Sequence, residues 1–269
     1  MFRHMSRKTI RVPGILTPGT AFNFCRSLQN LDAHDEYVFD FTQTRTVEPF
    51  GMLLVSSEIR RCKATHRSAQ FSCANFKHMT YAGHMGFFKA FGLDFGKGPG
   101  EAQGSRSYIP LTILESDALV EAAASKGHEV GSEIEEHSKK LSATLIGEDA
   151  GDVFETMAYS IREIMRNVVE HAQTNQFGIC AQYWKTKGRA EVAILDRGVG
   201  LRKTLSRNPH IDASSDKSAI NYALMPAVSG KAFKGAKQVN KGSPWVNSGF
   251  GLYMTNRICR NGGNFLISS

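Results

Sequence analysis

The clearest periodicity in the chain runs over 154–172, where Phe154, Met157, Ile161, Ile164, Met165, Val168 and Ala172 recur at steps of three and four. That spacing places apolar groups along one side of a helix. Earlier in the chain the period changes. Residues 9–12 and 37–41 (Tyr37-Val-Phe-Asp40-Phe41) predict short strands, with a helix over 20–31 between them. A turn at Glu48-Pro49-Phe50-Gly51 opens a second helix on Met52-Leu53-Leu54-Val55, and 69–73 predicts another strand. Strand–helix alternation of this kind predicts an α/β unit. The Gly/Pro/Ser-rich stretch from Gly96 to Ser105 is a loop, and 108–114 adds a strand. Residues 115–140, charged and alanine-rich, predict one linking helix. Further on, 190–195 alternates as a strand. A helix follows Gly251, stops at Gly262-Gly263, and leaves a last strand over 264–267. The expected fold class is α/β (α+β), divided as 1–112, a linking helix over 113–140, and 141–269.

Composition narrows the setting. At 269 residues and 41% hydrophobic, the chain can fill two modest cores. No apolar run approaches the length of a membrane span, and the start (Met1-Phe-Arg-His-Met-Ser-Arg-Lys8) lacks a signal-peptide core. Cys25, Cys62, Cys73, Cys180 and Cys259 are odd in number and scattered, with no Cys-x-x-Cys pair. Reduced thiols in a cytoplasmic protein fit this better than a disulfide framework or a zinc site. The net charge of +8 favours anionic partners. Nucleic acid is a minor reading, because there is no recognisable binding motif and no aromatic–basic stripe.

Three segments carry candidate chemistry. On the helix at 154–172, Glu163, Asn167 and Glu170 share one stripe, clear of most of the apolar one. An amide oxygen at Asn167 can ligate Mg²⁺, and Glu163 can orient or deprotonate an attacking water or hydroxyl. Taken alone, the three are equally a solvated helix face. Next, Asp196-Arg-Gly198-Val-Gly200 breaks the strand at 190–195. An Asp there can accept from an exocyclic amine such as adenine N6, and the two glycines let the backbone approach a ligand. An ordinary Asp-x-Gly turn has the same letters. Finally, Asn247-Ser-Gly249-Phe-Gly251-Leu252 places glycines at a helix N-terminus, where exposed N–H groups and the helix dipole favour a phosphate. Ser229-Gly230-Lys231-Ala232 is not a Walker loop, since it lacks the upstream glycine and the Ser/Thr after the lysine.

Taken in order, the three segments resemble the GHKL (Bergerat-fold) ATPase and kinase superfamily. Glu163-x-x-x-Asn167 matches its N box, Asp196-x-Gly198-x-Gly200 its first glycine box, and Gly249-x-Gly251-Leu252 its second. The resemblance implies a Bergerat α/β sandwich over 141–269 that binds Mg·ATP. Asn167 would hold Mg²⁺, Asp196 would recognise adenine, the four glycines and Leu252 would shape the site, and Glu163 would be the base. His171 follows the Asn-x-x-x-His pattern of the anti-sigma kinases; a histidine at the helix end interacting with the dipole is the plain alternative. The segment 201–246, with Lys231, Lys234, Lys237 and Lys241 among Gly230, Gly235 and Gly242, is expected as a cationic mobile lid with Lys231 at the phosphates. One strand follows the second glycine box where the superfamily has two, which implies either a fragment whose sandwich lacks its last strand, the expected case, or a sheet completed differently.

The first 95 residues resemble the STAS fold of anti-sigma antagonists, with Asp40 and Glu48-Pro49-Phe50-Gly51 at its strand–loop–helix. Phe50 stands where that family often carries a phosphorylatable serine. Together the resemblances imply an ATP-binding signalling protein that hydrolyses ATP or phosphorylates a protein partner, in the manner of an anti-sigma serine kinase. The rival is a non-catalytic ATP-gated interaction switch. A sensor histidine kinase is disfavoured, because His137 lies in what is read as a single helix. The implied partner is a regulator or phospho-acceptor protein, with no membrane and with homodimerisation left open. A DNA-associated ATPase is the weakest alternative.

Overall fold

The computed structural model describes residues 5–230, 233, 249–260 and 263–269. Lys231, Lys234, Lys237, Lys241, Gly235, Gly242, Asn247 and Ser248 lie outside them, and so do residues 231–232 and 234–246 of the expected lid. The chain is α/β, with both helices and sheets. Among the described residues no helix is long and apolar enough to cross a membrane. Two compact units alternate along the sequence. The first gathers Met1–Leu114, Thr144–Gly147 and Gly178–Leu195; the second gathers Glu115–Ala143, Glu148–Phe177 and Asp196–Ser269. These units differ from a linear division at 112 and 140, because the hairpin in 178–195 packs with the N-terminal residues.

The first unit begins β1 (Arg7–Arg11), β2 (Ile15–Leu16), α1 (Pro18–Gln29), β3 (Glu36–Asp40), β4 (Thr46–Val47), α2 (Pro49–Thr65) and β5 (Gln70–Ala74). Two short helices follow, α3 (Thr80–His84) and α4 (Phe87–Ala90), then β6 (Tyr108–Glu115), β7 (Gln176–Trp184) and β8 (Arg189–Asp196). β1, β3 and β5 form a parallel sheet in that order, in a register that aligns Ile10, Phe39 and Cys73. α1 starts where Thr17 N–H donates to Thr20 Oγ1 at 2.9 Å and Pro18 takes the first helical position, whose N–H would have no partner. α2 buries Leu53, Leu54 and Val55 in succession, so more than one of its sides is covered. One side meets β7, where a Cβ built on Gly178 would lie 2.6 Å from Leu53 Cδ2.

β6, β7 and β8 form a second sheet in that order. β7 and β8 are joined by the turn Lys185–Lys187 and a left-handed Gly188 (φ 54°), too short a connection for anything but an antiparallel hairpin. The hairpin grips the start of α2. Arg189 donates to both carboxylate oxygens of the buried Glu48, at 2.6 and 2.9 Å, and Glu191 Oε1 accepts from Phe50 N–H at 2.8 Å. Glu191 thus takes up one of the N–H groups that a first helical turn leaves unpaired.

The second unit holds α5 (Ser116–Ser125), most of α6 (Val130–Ile146), α7 (Asp152–His171), α8 (Gly200–Leu205), α9 (Asp216–Ala223) and α10 (Gly251–Cys259). The single linking helix expected over 115–140 is two. Gly127, at φ 68°, stops α5, with Gly127 N–H on Ala124 O and His128 N–H on Ala123 O. This removes the sequence argument that His137 lies in a lone helix. The ring is half-buried on α6, and burial holds it toward the neutral form. The described part of the expected lid holds two helices, α8 and α9. α9 is capped by Ser215, whose Oγ accepts from Ser218 N–H at 3.1 Å, and it packs Ala219 and Ala223 against Leu205. The strand expected over 264–267 does not form. Phe265 and Ile267 are only half-buried, and among the described residues no neighbouring strand supplies the ladder that a strand needs.

Candidate functional site

α7 is the centre on which the three candidate segments meet. Its apolar face, Phe154, Ala158, Ile161, Met165 and Val168, is buried as the periodicity predicts. Ser142 Oγ of α6 donates to Phe154 O at 2.8 Å near its start.

The Asp196 turn docks at the C-terminal end of α7. Asp196 Oδ1 accepts from Gly198 N–H at 2.8 Å, and Val199 N–H donates to Ala172 O at 2.8 Å. The approach is close: a Cβ on Gly198 would lie 2.1 Å from Ala172 O. Only a residue without a side chain fits there. The second glycine segment meets α7 two turns earlier, where α10 begins. A Cβ on Gly251 would lie 2.5 Å from the Cβ of Glu163. Leu252, next along, packs with the Leu205, Ala219 and Ala223 cluster. Gly200 (φ 76°) and Gly249 (φ 68°) both take left-handed backbone. Asn167 lies half-buried on α7, one turn beyond Glu163.

Glu163, Asn167, Asp196, Gly198, Gly251 and Leu252 are therefore brought to one helix or its immediate neighbours. Gly200 starts α8, facing Ser269, whose Oγ accepts from Leu201 N–H at 2.7 Å. Gly249 lies against Ala227 and Val228. Lys231 lies outside the described residues.

Two arginines missed by the sequence reading define the electrostatics. Buried Arg166 spans two carboxylates of its own helix, with Nη1 donating to Glu163 Oε1 at 3.3 Å and Nε to Glu170 Oε1 at 2.7 Å. Arg162 Nη2 adds a second cation 3.7 Å from Glu163 Oε1. Glu163 itself is only 4% exposed. A buried carboxylate must be paired to stay ionised, and these two guanidiniums pair it. The i, i+3 and i, i+4 spacing was the available signal. Chemically, the site offers a carboxylate held by cations, a hard amide oxygen one turn along, and an Asp oriented by its own turn. Among the described residues no group of three or more His, Cys, Asp or Glu side chains is placed to hold a metal ion, so a cation here would rely on Asn167 and on oxygens of its ligand. No family model, curated protein or solved structure matches the chain.

Proposed function

We propose that the chain is a cytoplasmic ATP-binding signalling protein of the GHKL type, with a STAS-like module in its first unit. The observation that carries this reading is that two separate segments meet the helix of Glu163 and Asn167: Gly198, beside Asp196, seats on Ala172 at the end of α7, and Gly251, before Leu252, seats on Glu163. In this reading Asp196, fixed by Gly198 N–H, accepts from the adenine amine. Asn167 supplies an oxygen to Mg²⁺, and N–H groups at the start of α10 face phosphate. Glu163 is the residue that would orient a water or a partner's hydroxyl for phosphoryl transfer.

The test is calorimetry with Mg·ATP. Wild type should bind saturably, and Asp196→Asn should weaken binding by about tenfold or more, the scale of one hydrogen bond to a charged group. No binding to wild type would sink the reading.

The pairing of Glu163 with Arg166 and Arg162, and its cover by Gly251, favours a second reading in which ATP is bound but not turned over. A base must reach the proton that it takes, and here both the carboxylate's charge and its surroundings are already engaged. Glu163→Gln separates the two. An enzyme loses phosphoryl transfer and keeps ATP, whereas a switch keeps its ATP-dependent hold on a protein partner.

A further inference from the structure

The first unit carries a cleft that the ATP reading does not use. It opens beyond the carboxyl ends of the parallel strands β3 and β5, among the loops that begin at Phe41 and Asn75. The loops after these strands are stitched together. Asp40 Oδ1 accepts from Thr42 N–H at 3.1 Å, Thr42 Oγ1 at 2.6 Å and Asn75 Nδ2 at 2.9 Å. Asn75 takes left-handed backbone (φ 57°) to make this bond. Below it, His78 Nε2–H donates to Thr44 O at 2.8 Å, and Arg45 N–H donates to Gly14 O at 2.7 Å. The walls are thereby fixed before any ligand arrives, which lowers the ordering cost of binding.

His78 lines a cavity of ≈ 230 Å³ whose lining includes Arg45, Tyr81, Gln182 and Trp184. It also lines a wider basin of ≈ 610 Å³, together with Lys77 and Asn75 among others, so the two adjoin there. Among the described residues no carboxylate lines either one, and the nearby Asp40 is spent on Thr42 and Asn75. The Arg189 guanidinium stacks 4.8 Å from the Trp184 ring centroid and holds that ring in place. Partial burial, with Cys180 and Tyr108 adding to it, pushes the Tyr81 hydroxyl up to about 12. The cleft therefore pairs exposed cations with indole and phenol rings and an amide.

We propose that this cleft binds a nucleoside monophosphate, its base beside Trp184 and Tyr81 with Gln182 reading the base edge, and its phosphate between Arg45 and Lys77. Flat rings stack on aromatic side chains whatever the base, and guanidinium and ammonium groups meet phosphate. This proposal does not rest on the site at α7.

The test titrates AMP, GMP, CMP and UMP by calorimetry into wild type and into Asp196→Asn, which disables the adenine contact proposed on α7. At least one should bind saturably in both proteins. Arg45→Ala with Lys77→Ala should weaken that binding by about tenfold or more; both side chains are exposed, so the fold stays intact. Trp184→Leu should weaken it as well. Inorganic phosphate alone should bind about tenfold more weakly than the nucleotide. No saturable binding of any of the four, binding unmoved by the double substitution, binding lost in Asp196→Asn, or phosphate matching the nucleotide would each overturn the proposal.

Discussion

The two units reach order by different means. In the first, large side chains fill a common core. Tyr37, Phe39, Phe41, Phe87 and Phe88 are at most 1% exposed, and Phe88 alone makes ring contacts with Phe41, Phe76, Phe87, Phe91 and Phe95. In the second, the decisive contacts around α7 are backbone approaches at glycine: Gly198 against Ala172 O, and Gly251 against Glu163. The contrast teaches which perturbation each unit resists. Bulk burial tolerates small additions poorly and deletions worse, since a vacated core leaves a cavity. A glycine contact has nothing to delete, and fails when a single methyl is added.

The largest expected effect is therefore a deletion in the first unit. Phe88→Ala should cost about 3–5 kcal/mol of stability, the range for removing a buried aromatic ring. Hydrogen exchange would read the loss in the amides of β3 and α2. An addition in the second unit comes next. Gly198→Ala should cost about 1–3 kcal/mol, as overpacking does, with the loss read in the amides of α7. Ala172 O is main chain and cannot swing aside as a side-chain tip could. If Gly198→Ala proves neutral, the turn has slack and the comparison breaks. If it costs more than Phe88→Ala, the comparison reverses.

Much of this was legible in the letters. Tyr37-Val-Phe39 announces a strand buried on both faces, and the step of three and four over 154–172 announces α7 and its buried stripe. Local signals that went unused account for some of the rest. Gly127 marks the break between α5 and α6, and Ser215 with Ser218 marks the start of α9. The apolar run Phe177-Gly178-Ile179-Cys180-Ala181 lies within β7, a strand whose letters do not alternate and so carry no period to mark it. What no local pattern holds is tertiary. That Gly198 seats on Ala172 O, that Arg166 pairs Glu163 inside the fold, and that Glu191 caps a helix far back in the chain depend on which surfaces meet. The same holds for the strand that failed at 264–267: its letters suit a strand, but pairing needs a neighbour. The residues of the candidate site could be named from the sequence, while their surroundings could not.

The smallest effect probes the exception in the first unit, where a polar clamp sits beside the apolar core. Glu191 is held above the ordinary carboxylate value of 4.5, chiefly by burial and then by the charge of Glu48; Phe50 N–H and Arg189 pull the other way. Between 4.5 and its higher folded value, the folded chain keeps a proton that the unfolded chain has released. Stability from this group is thus fully present below 4.5 and is lost as pH rises through the folded value. Glu191→Gln still offers Phe50 N–H a carbonyl oxygen but carries no such proton. Its stability relative to wild type should therefore improve as pH is raised through that window, by under about 1 kcal/mol for a half-exposed partner such as Arg189. Taking the difference between the two curves cancels every other titrating group except those touching Glu191, namely Glu48 and Arg189. Parallel curves would mean that the folded chain holds the Glu191 proton no more tightly than the unfolded one, and that burial does not govern the clamp. A change in slope confined to amides of α2 and β8, with α7 unmoved, would show that the two units answer separately to charge as well as to packing.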